Sequence, residues 1–147
     1  MSKGAFIAFI VIAGIIMFLA GYNIASMTNY RKITNLASIK AIDVEVFEDQ
    51  NCTVPIEAID WGTLEPSSSK NIQIYVKSLS NVPFTLTIYA DNWKPSNCTL
   101  YMTFNAEPNN VLINPSESLE VELSLRIFSN ITGITNFSFE IWLISIG

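Results

Sequence analysis

The chain has 147 residues, of which 50 % are hydrophobic and only 14 % are charged. Its length suits one domain, and its charged fraction lies well below the roughly 25 % of an average soluble protein. With no histidine and only two cysteines, the sequence excludes a histidine-dependent active site and a four-cysteine zinc site. The net charge of −5 argues against nucleic acid as a partner.

The shortage of charge is concentrated near the N-terminus. Residues 5–21 contain no charged side chain, and the apolar character continues to Met27. A helix needs about 20 apolar residues to cross a bilayer, whereas the apolar region of a secretory signal has about 7–15. We therefore predict a transmembrane helix within residues 1–28, with residues 5–27 in the lipid bilayer. A cleaved signal segment is the alternative.

Residues 2–5 offer a second route of processing. The sequence Ser-Lys-Gly-Ala directly before an apolar run resembles the leader of archaeal type IV pilin-like proteins. The resemblance implies cleavage between Gly4 and Ala5, after which the apolar helix packs in the core of a filament.

Residues 29–40 connect the apolar segment to the rest of the chain. Ile33, Leu36 and Lys40 stand at helical spacing, so we expect the helix to continue here as a juxtamembrane stalk. Basic residues are more numerous after the apolar segment than before it, which by the positive-inside rule favours a cytoplasmic C-terminal part.

The composition of residues 41–147 argues for the opposite topology. This part holds all 13 acidic residues against four basic ones, a net charge of −9, together with both cysteines and four N-x-Ser/Thr sequons. We therefore expect the domain to be extracytoplasmic, on a single-pass protein of the cell membrane. The candidate glycosylation sites are Asn51, Asn97, Asn130 and Asn136.

After residue 40 the apolar residues recur with a period of two. The alternating segments are 42–47, 71–77, 84–89, 100–104, 119–127 and 137–144. Alternation is typical of strands with one buried face, and Pro, Asn and Ser residues separate the segments as turns. We predict an all-β domain over residues 41–147, an antiparallel β-sandwich of about seven strands, with a small barrel as the alternative.

The two cysteines are candidates for a disulfide. Cys52 and Cys98 both fall in loop-rich stretches, and an oxidising compartment favours their pairing. Closing the loop between them would stabilise the domain by about 4 kcal/mol in the chain-entropy model. Two free buried thiols are the alternative.

Three stretches resemble a known extracellular module. They are residues 59–70, residues 80–86 and the stretch that begins at Leu112. The first two follow the pattern W-G-x-L-x-P and N-x-P-x-T-L of an Ig-like module from archaeal membrane-anchored surface proteins. That module is similar to the TasA/camelysin group of biofilm-fibre proteins. The resemblance covers about residues 41–146, and it implies an Ig-like sandwich with a structural or adhesive role.

The chain departs from the module at two turns, in one of which Ser78-Leu79-Ser80 stands where the module has Asn-x-Gly before Asn81. Ser67 stands where the module has glycine after Pro66, and the turn is expected to survive the change. Trp61 and Trp93 are expected to pack on the sandwich core, and an exposed Trp that binds glycan is the alternative.

Several large apolar residues fall on the polar phase of their strands. A solvated sandwich usually carries Thr, Lys and Glu at such positions, so aromatic residues that share one sheet would form a patch for a partner. The interface candidates are Tyr75, Tyr89, Tyr101, Phe128, Trp142 and Ile144. Trp142 and Ile144 fall on the last strand, a candidate sheet edge to which another subunit's strand could add.

No nucleophile motif, phosphate-binding loop or metal-ligand pattern is present in the sequence. We therefore expect no enzymatic activity, no cofactor, no metal, no nucleic acid and no small-molecule substrate. The leading hypothesis is a membrane-anchored surface protein that contacts other surface or membrane proteins, including copies of itself. A filament subunit of the pilin-like or TasA-like kind, an accessory subunit of a larger membrane complex and a stator-like anchor are the alternatives.

Overall fold

A computed structural model describes residues 34–147 of the chain. This part consists of strands joined by turns and one 3₁₀ helix, Ser96–Leu100. The strands are β1 (Thr34–Ala41), β2 (Val44–Phe47), β3 (Ala58–Ile59), β4 (Ser69–Ser78), β5 (Phe84–Lys94), β6 (Met102–Glu107), β7 (Val111–Ile113), β8 (Ser118–Ile127) and β9 (Asn136–Ile146).

The strands form two sheets that pack as a sandwich. One sheet has five strands in the order β3-β1-β9-β5-β7, and the other has four in the order β2-β4-β8-β6. The predicted all-β sandwich is thus confirmed, with nine strands in residues 34–147 instead of about seven. The pairing is not entirely antiparallel, because β1 runs parallel to β9 over eight residue pairs.

The core lies between the two sheets and follows the alternation of the sequence. Along β9 the odd-numbered side chains from Phe137 to Leu143 are buried, and those between them are partly exposed. The same alternation runs along β8, where Val121, Leu123 and Leu125 are fully buried. One face of each sheet therefore supplies the core, and the other face is available to solvent or to a partner.

Residues 34–40 correct one prediction, because they form β1 and not a helical stalk. Their backbone bonds to β9 on one side and to β3 on the other, and Ala37 is fully buried against the core. The helical spacing rests on only three residues, Ile33, Leu36 and Lys40, and sheet pairing on both sides outweighs so weak a local preference. Residues 29–33 lie outside the described part of the chain.

The predicted transmembrane helix within residues 1–28 also lies outside the described residues, as does the proposed cleavage between Gly4 and Ala5. Within residues 34–147, no helix is long and apolar enough to cross a membrane.

Both tryptophans of the resembling module pack on the core, as predicted. Trp61 is fully buried, with its ring 6.4 Å from that of Phe139. Trp93 is partly buried, and its ring centroid lies 4.2 Å from that of Phe139, in the same aromatic cluster. Asn35 of β1 holds the Trp61 loop in place, because its side-chain oxygen accepts from the Trp61 backbone N–H at 3.1 Å.

Candidate interaction surface

The outer face of the five-stranded sheet carries the most distinctive side chains of the described chain. Register pairs Tyr89 of β5 with Trp142 of β9, and Thr87 with Ile144. Paired residues of neighbouring strands point to the same side of a sheet, and the alternate residues of β9 fill the core. Tyr89, Trp142 and Ile144 therefore share the outer face.

We call this surface the aromatic face and define it by ten outward residues of β1, β9, β5 and β7 around and beyond the Tyr89–Trp142 pair. Its members are Lys40, Glu140, Trp142, Ile144, Ile146, Thr85, Thr87, Tyr89, Asp91 and Leu112.

The two aromatic rings at the centre of the aromatic face are stacked. Tyr89 and Trp142 have ring centroids 6.4 Å apart and planes inclined by only 9°. The indole Nε1–H of Trp142 donates to Glu140 Oε2 at 3.0 Å, and the Asn92 side-chain amide donates to the same oxygen at 2.6 Å. These bonds hold the indole plane, so the two stacked rings form a fixed aromatic surface.

Exposed aliphatic side chains extend the apolar area toward one end of the sheet. Thr85 pairs with Ile146 on one side and with Leu112 on the other. Leu112 is 61 % exposed, Ile146 is 50 % exposed and Tyr89 is 39 % exposed. Single exposed apolar residues are ordinary, but contiguous ones on a sheet face mark an interaction site.

Charged residues flank the aromatic stack asymmetrically. Lys40 of β1 is paired with Trp142 in the register, whereas Asp91 of β5 is paired with Glu140. Two carboxylates directly opposite each other on neighbouring strands repel. None of these three charges has an ion-pair partner within residues 34–147.

The other predicted interface residues are not brought to this face. Tyr75 lies on β4 of the four-stranded sheet, paired with Phe47 and Glu120. Tyr101 and Phe128 lie together at one end of the sandwich, where the Phe128 N–H donates to the Tyr101 carbonyl at 2.8 Å.

Ile146, Leu112 and Lys40 are among the members of the aromatic face that sequence reasoning did not identify as interface candidates. Ile146 continues the alternation of β9, so the sequence pattern could have predicted its place on this face. Leu112 lies on a strand of only three residues, and Lys40 lies in the stretch predicted as a stalk. The sequence therefore shows no alternation from which the outward position of either residue could be predicted.

The last strand is not a sheet edge, which corrects a second expectation. β9 lies between β1 and β5, so its hydrogen bonds are used on both sides. The edges of this sheet are β3 and β7, which have two and three residues. Such short edges offer little backbone for strand addition by a partner.

The expected disulfide is also not present, since Cys52 and Cys98 are both free thiols. Cys52 lies in the turn after β2, and Cys98 lies in the 3₁₀ helix that leads into β6. β2 and β6 are the two edges of the four-stranded sheet, so the cysteines follow and precede strands that are not neighbours. Burial raises the pKa of the Cys98 thiol, which keeps it protonated and unreactive at neutral pH.

All four sequon asparagines lie on exposed positions. Asn97 is in the 3₁₀ helix, Asn130 follows β8 and Asn136 begins β9 opposite the first residue of β1. These three lie at the end of the sandwich where β1 starts, and the turn that holds Asn51 leaves β2 in the same direction.

Two comparisons with other proteins add no neighbour to this description. No model of a known protein family matches the chain, and no curated protein matches it. In residues 34–147, no group of three or more acidic or cysteine side chains is placed to hold a metal ion. The geometry described above is therefore the basis for assigning a function.

Proposed function

We propose that the protein is a non-catalytic, membrane-anchored protein of the cell surface whose sandwich domain contacts other proteins through the aromatic face. The observation that carries the proposal is the stacked Tyr89–Trp142 pair on the outer face of the five-stranded sheet, where the Trp142 indole N–H donates to Glu140. Tyr and Trp dominate the energetics of protein interfaces, particularly where exposed aliphatic residues surround them.

The location follows from the sequence. The apolar residues 5–27 supply a membrane anchor, and the exposed sequons favour an extracytoplasmic domain that is glycosylated. The domain would then stand on the outer side of the cell membrane, where a sheet face can meet neighbouring surface proteins.

The strand order supports an Ig-like assignment of the sandwich. In an Ig domain one sheet has the order A-B-E-D, and the other contains C, F and G. The order β2-β4-β8-β6 corresponds to A-B-E-D, and the adjacent strands β5 and β9 correspond to C and F. The place of strand G, beside F, is occupied by β1.

This placement of β1 favours a filament subunit as the second candidate function. β1 precedes strand A (β2) in the sequence and completes the five-stranded sheet beside β9. The β1 strand of another copy could occupy the same place instead. Exchange of β1 between copies would link them in a chain, as the alternative of a strand-exchanging fibre requires.

Site-specific photo-crosslinking in native membranes tests the leading proposal. A photoreactive amino acid at Ile144, on the aromatic face, is expected to yield a crosslinked product. The same group at Tyr75, on the four-stranded sheet, serves as the matched control and is expected to yield much less. Equal yields at the two positions, or none at either, would remove the aromatic face as the contact surface.

An engineered disulfide tests the second candidate function, a filament subunit that exchanges β1 between copies. Ser38 of β1 and Glu140 of β9 are register partners, so cysteines at both positions are expected to join the two strands. Under denaturing, non-reducing conditions, exchanged strands give a ladder of covalent oligomers, whereas strands from one chain give a monomer.

A further inference from the structure

We propose that a polar concavity on the outer side of the five-stranded sheet holds the first sugars of an N-linked glycan attached to Asn136 of the same chain. This inference rests on the proposed function, which places the domain outside the cell and glycosylated. The concavity has a volume of about 400 Å³, within the roughly 300–1,000 Å³ of small-molecule sites. We call it the polar cleft and define it by the lining residues Leu36, Ser38, Asn92, Lys94, Ser138 and Glu140.

Three strands supply the lining of the polar cleft. In the register, Ser138 of β9 is paired with Leu36 of β1 on one side and with Lys94 of β5 on the other. The next outward residue of β9, Glu140, is paired with Ser38 of β1. The cleft therefore spans two rows of neighbouring outward side chains, at the edge of the aromatic face to which Glu140 also belongs.

The Glu140 carboxylate is held in position for a ligand. Its Oε2 accepts from the Trp142 indole N–H at 3.0 Å and from the Asn92 side-chain amide at 2.6 Å. Asn92 lies where the register of β5 shifts in a β-bulge, a feature that often re-aims side chains beside a site. Within residues 34–147, Glu140 Oε1 accepts no hydrogen bond, so it is available to a hydroxyl group of a ligand.

The chemistry of the polar cleft suits a neutral sugar. The hydroxyls of Ser38 and Ser138 and the Lys94 ammonium make no hydrogen bond or ion pair within the described part of the chain. Together with Glu140 they offer donors and acceptors to sugar hydroxyls, which also do both. The charges of Glu140 and Lys94 balance, which favours an uncharged ligand. Leu36 is 54 % exposed and offers an apolar surface to the C–H groups of a sugar ring.

The sequon at Asn136 identifies the source of the sugar. Ser138 lines the polar cleft and is also the third residue of the Asn136-Phe-Ser sequon. Asn136 and Ser138 lie on the same side of β9, and two residues of a strand span about 7 Å. A glycan on Asn136 therefore begins at the edge of the cleft, and none of the other three sequons contributes a lining residue.

The attachment uses one hydrogen of the Asn136 side-chain amide. The amide nitrogen bonds to the anomeric carbon of the sugar, and the glycosyl diphosphate that donates the sugar releases its diphosphate, which takes up the proton. The linked amide keeps its second N–H and its carbonyl, so it can still make hydrogen bonds of its own.

The covalent link allows weak contacts to keep the sugar in place. A site that holds one or two sugars through a few hydrogen bonds is expected to have millimolar affinity. A short flexible link supplies an effective concentration of the same order, so the docked state is populated without a tight site. Trp142 lies six residues, about 20 Å, from Asn136. The half of the aromatic face with Trp142, Ile144 and Ile146 therefore stays open for the proposed protein contact.

Periodate oxidation tests the docking. Periodate cleaves the bond between neighbouring hydroxyl-bearing carbons, and a docked sugar is expected to react more slowly than a free one. The full chain is isolated from native membranes in detergent, oxidised briefly and digested, and each glycopeptide is measured by mass spectrometry. Sugars on Asn136 should be oxidised several times more slowly in the folded chain than in urea. Sugars on Asn130, in a turn outside the polar cleft, should show no such difference.

Variants of the cleft separate docking from a general effect of folding. Ser38→Ala/Lys94→Ala leaves the sequon intact and is expected to remove most of the protection at Asn136. Lys77→Ala, at an exposed lysine of the four-stranded sheet, is the matched control and should leave the protection unchanged. Urea unfolding verifies that each variant is folded, and the single variants Ser38→Ala and Lys94→Ala should each remove part of the protection.

Three results would overturn the inference. They are a native chain without sugar on Asn136, sugars on Asn136 that react equally fast in the folded and the unfolded chain, and full protection in the folded double variant. Each is distinguishable from failure of the proposed function, because a photo-crosslink at Ile144 that exceeds the one at Tyr75 would still support the protein contact.

Discussion

Trp61 is the largest fully buried side chain of the described domain, and its indole N–H has no hydrogen-bond partner within residues 34–147. A buried, unpaired donor costs about 1–3 kcal/mol, which offsets part of what the ring contributes by packing. Trp61→Ala is expected to lower the free energy of unfolding by about 3–5 kcal/mol. Trp61→Phe, which removes the orphan donor but keeps a ring against Phe139, should cost no more than about 1 kcal/mol. Urea unfolding measures both, and equal losses would contradict this account.

Ser67 is a residue under local backbone strain. Its φ is 62°, in the left-handed region that favours glycine, within a turn closed by the Ser68 N–H donating to the Glu65 carbonyl at 3.2 Å. Ser67→Gly is therefore expected to stabilise the domain by about 0.5–1 kcal/mol in urea unfolding. Ser69→Gly, in the extended strand β4, is the control and should destabilise by a similar amount. A loss with Ser67→Gly would show that the turn carries no strain.

At the scale of elements, β1 is the strand on which the boundary of the domain depends. Leu36 is 54 % exposed, whereas its neighbour Ala37 is fully buried between the sheets. Ala37→Asp would bury an unpaired carboxylate and is expected to lower the free energy of unfolding by roughly 3 kcal/mol, with Leu36→Asp close to neutral. In a helical stalk outside the domain both variants would be neutral. Thermal unfolding of the two variants decides between these structures.

The turn after β2 depends on one carboxylate. Asp49 accepts bonds from the Thr53 hydroxyl and from the backbone N–H groups of Thr53 and Val54. The Thr53 hydroxyl and then the Val54 N–H hold the pKa of Asp49 below its usual value of 3.8. The carboxylate therefore stabilises the fold above the pKa of the unfolded state, and this contribution is lost as the pH falls through the lower, folded pKa.

Asp49→Asn should accordingly be less stable than the unmodified chain at pH 7, and the difference should shrink as the pH is lowered below about 3.8. Glu57→Gln, at an exposed carboxylate outside the turn, provides the control for a general charge effect. Chemical unfolding followed across pH measures the difference. A gap that stays constant down to pH 2 would show that the turn does not depend on ionised Asp49.

The elements that sequence could predict are those with a long apolar alternation. β4, β8 and β9 each have ten or more residues, and their buried side recurs at every second position. β1 has no such alternation, since Ala37 is the only fully buried side chain among residues 35–41 and is small. Its assignment depends on long-range pairing with β9, about a hundred positions away, which no local pattern contains.

The candidate surface was predictable in part for the same reason. The alternation of residues along one strand can be recognised in the local sequence, and it placed Tyr89, Trp142 and Ile144 on the polar side of their strands. It could not tell that β5 and β9 are neighbours while β4, with Tyr75, belongs to the other sheet. The asymmetric charges became visible only when the register joined β1, β9 and β5.

At the scale of the whole molecule, the sandwich presents two kinds of surface that the fold keeps apart. The sequons at Asn97, Asn130 and Asn136 lie around the end where β1 starts. The apolar residues Leu112 and Ile146 lie toward the opposite end, on the aromatic face. An end that carries the sequons and a separate aromatic face are the arrangement that the proposed function requires of a domain that stands on a membrane and contacts its neighbours laterally.

The two free thiols allow the topology of the whole molecule to be measured without any engineered label. Cys52 is partly exposed in its turn, whereas Cys98 is fully buried, and burial also raises the pKa of its thiol. A membrane-impermeant maleimide applied to intact cells is therefore expected to label the protein at Cys52 alone, and Cys52→Ser should abolish the label. Because the turn and the aromatic face belong to the same folded domain, labelling places that face on the outer side of the membrane as well. Labelling that requires permeabilised cells would put the domain inside, and the proposed contact with surface proteins would then be wrong even if the aromatic face itself binds a partner.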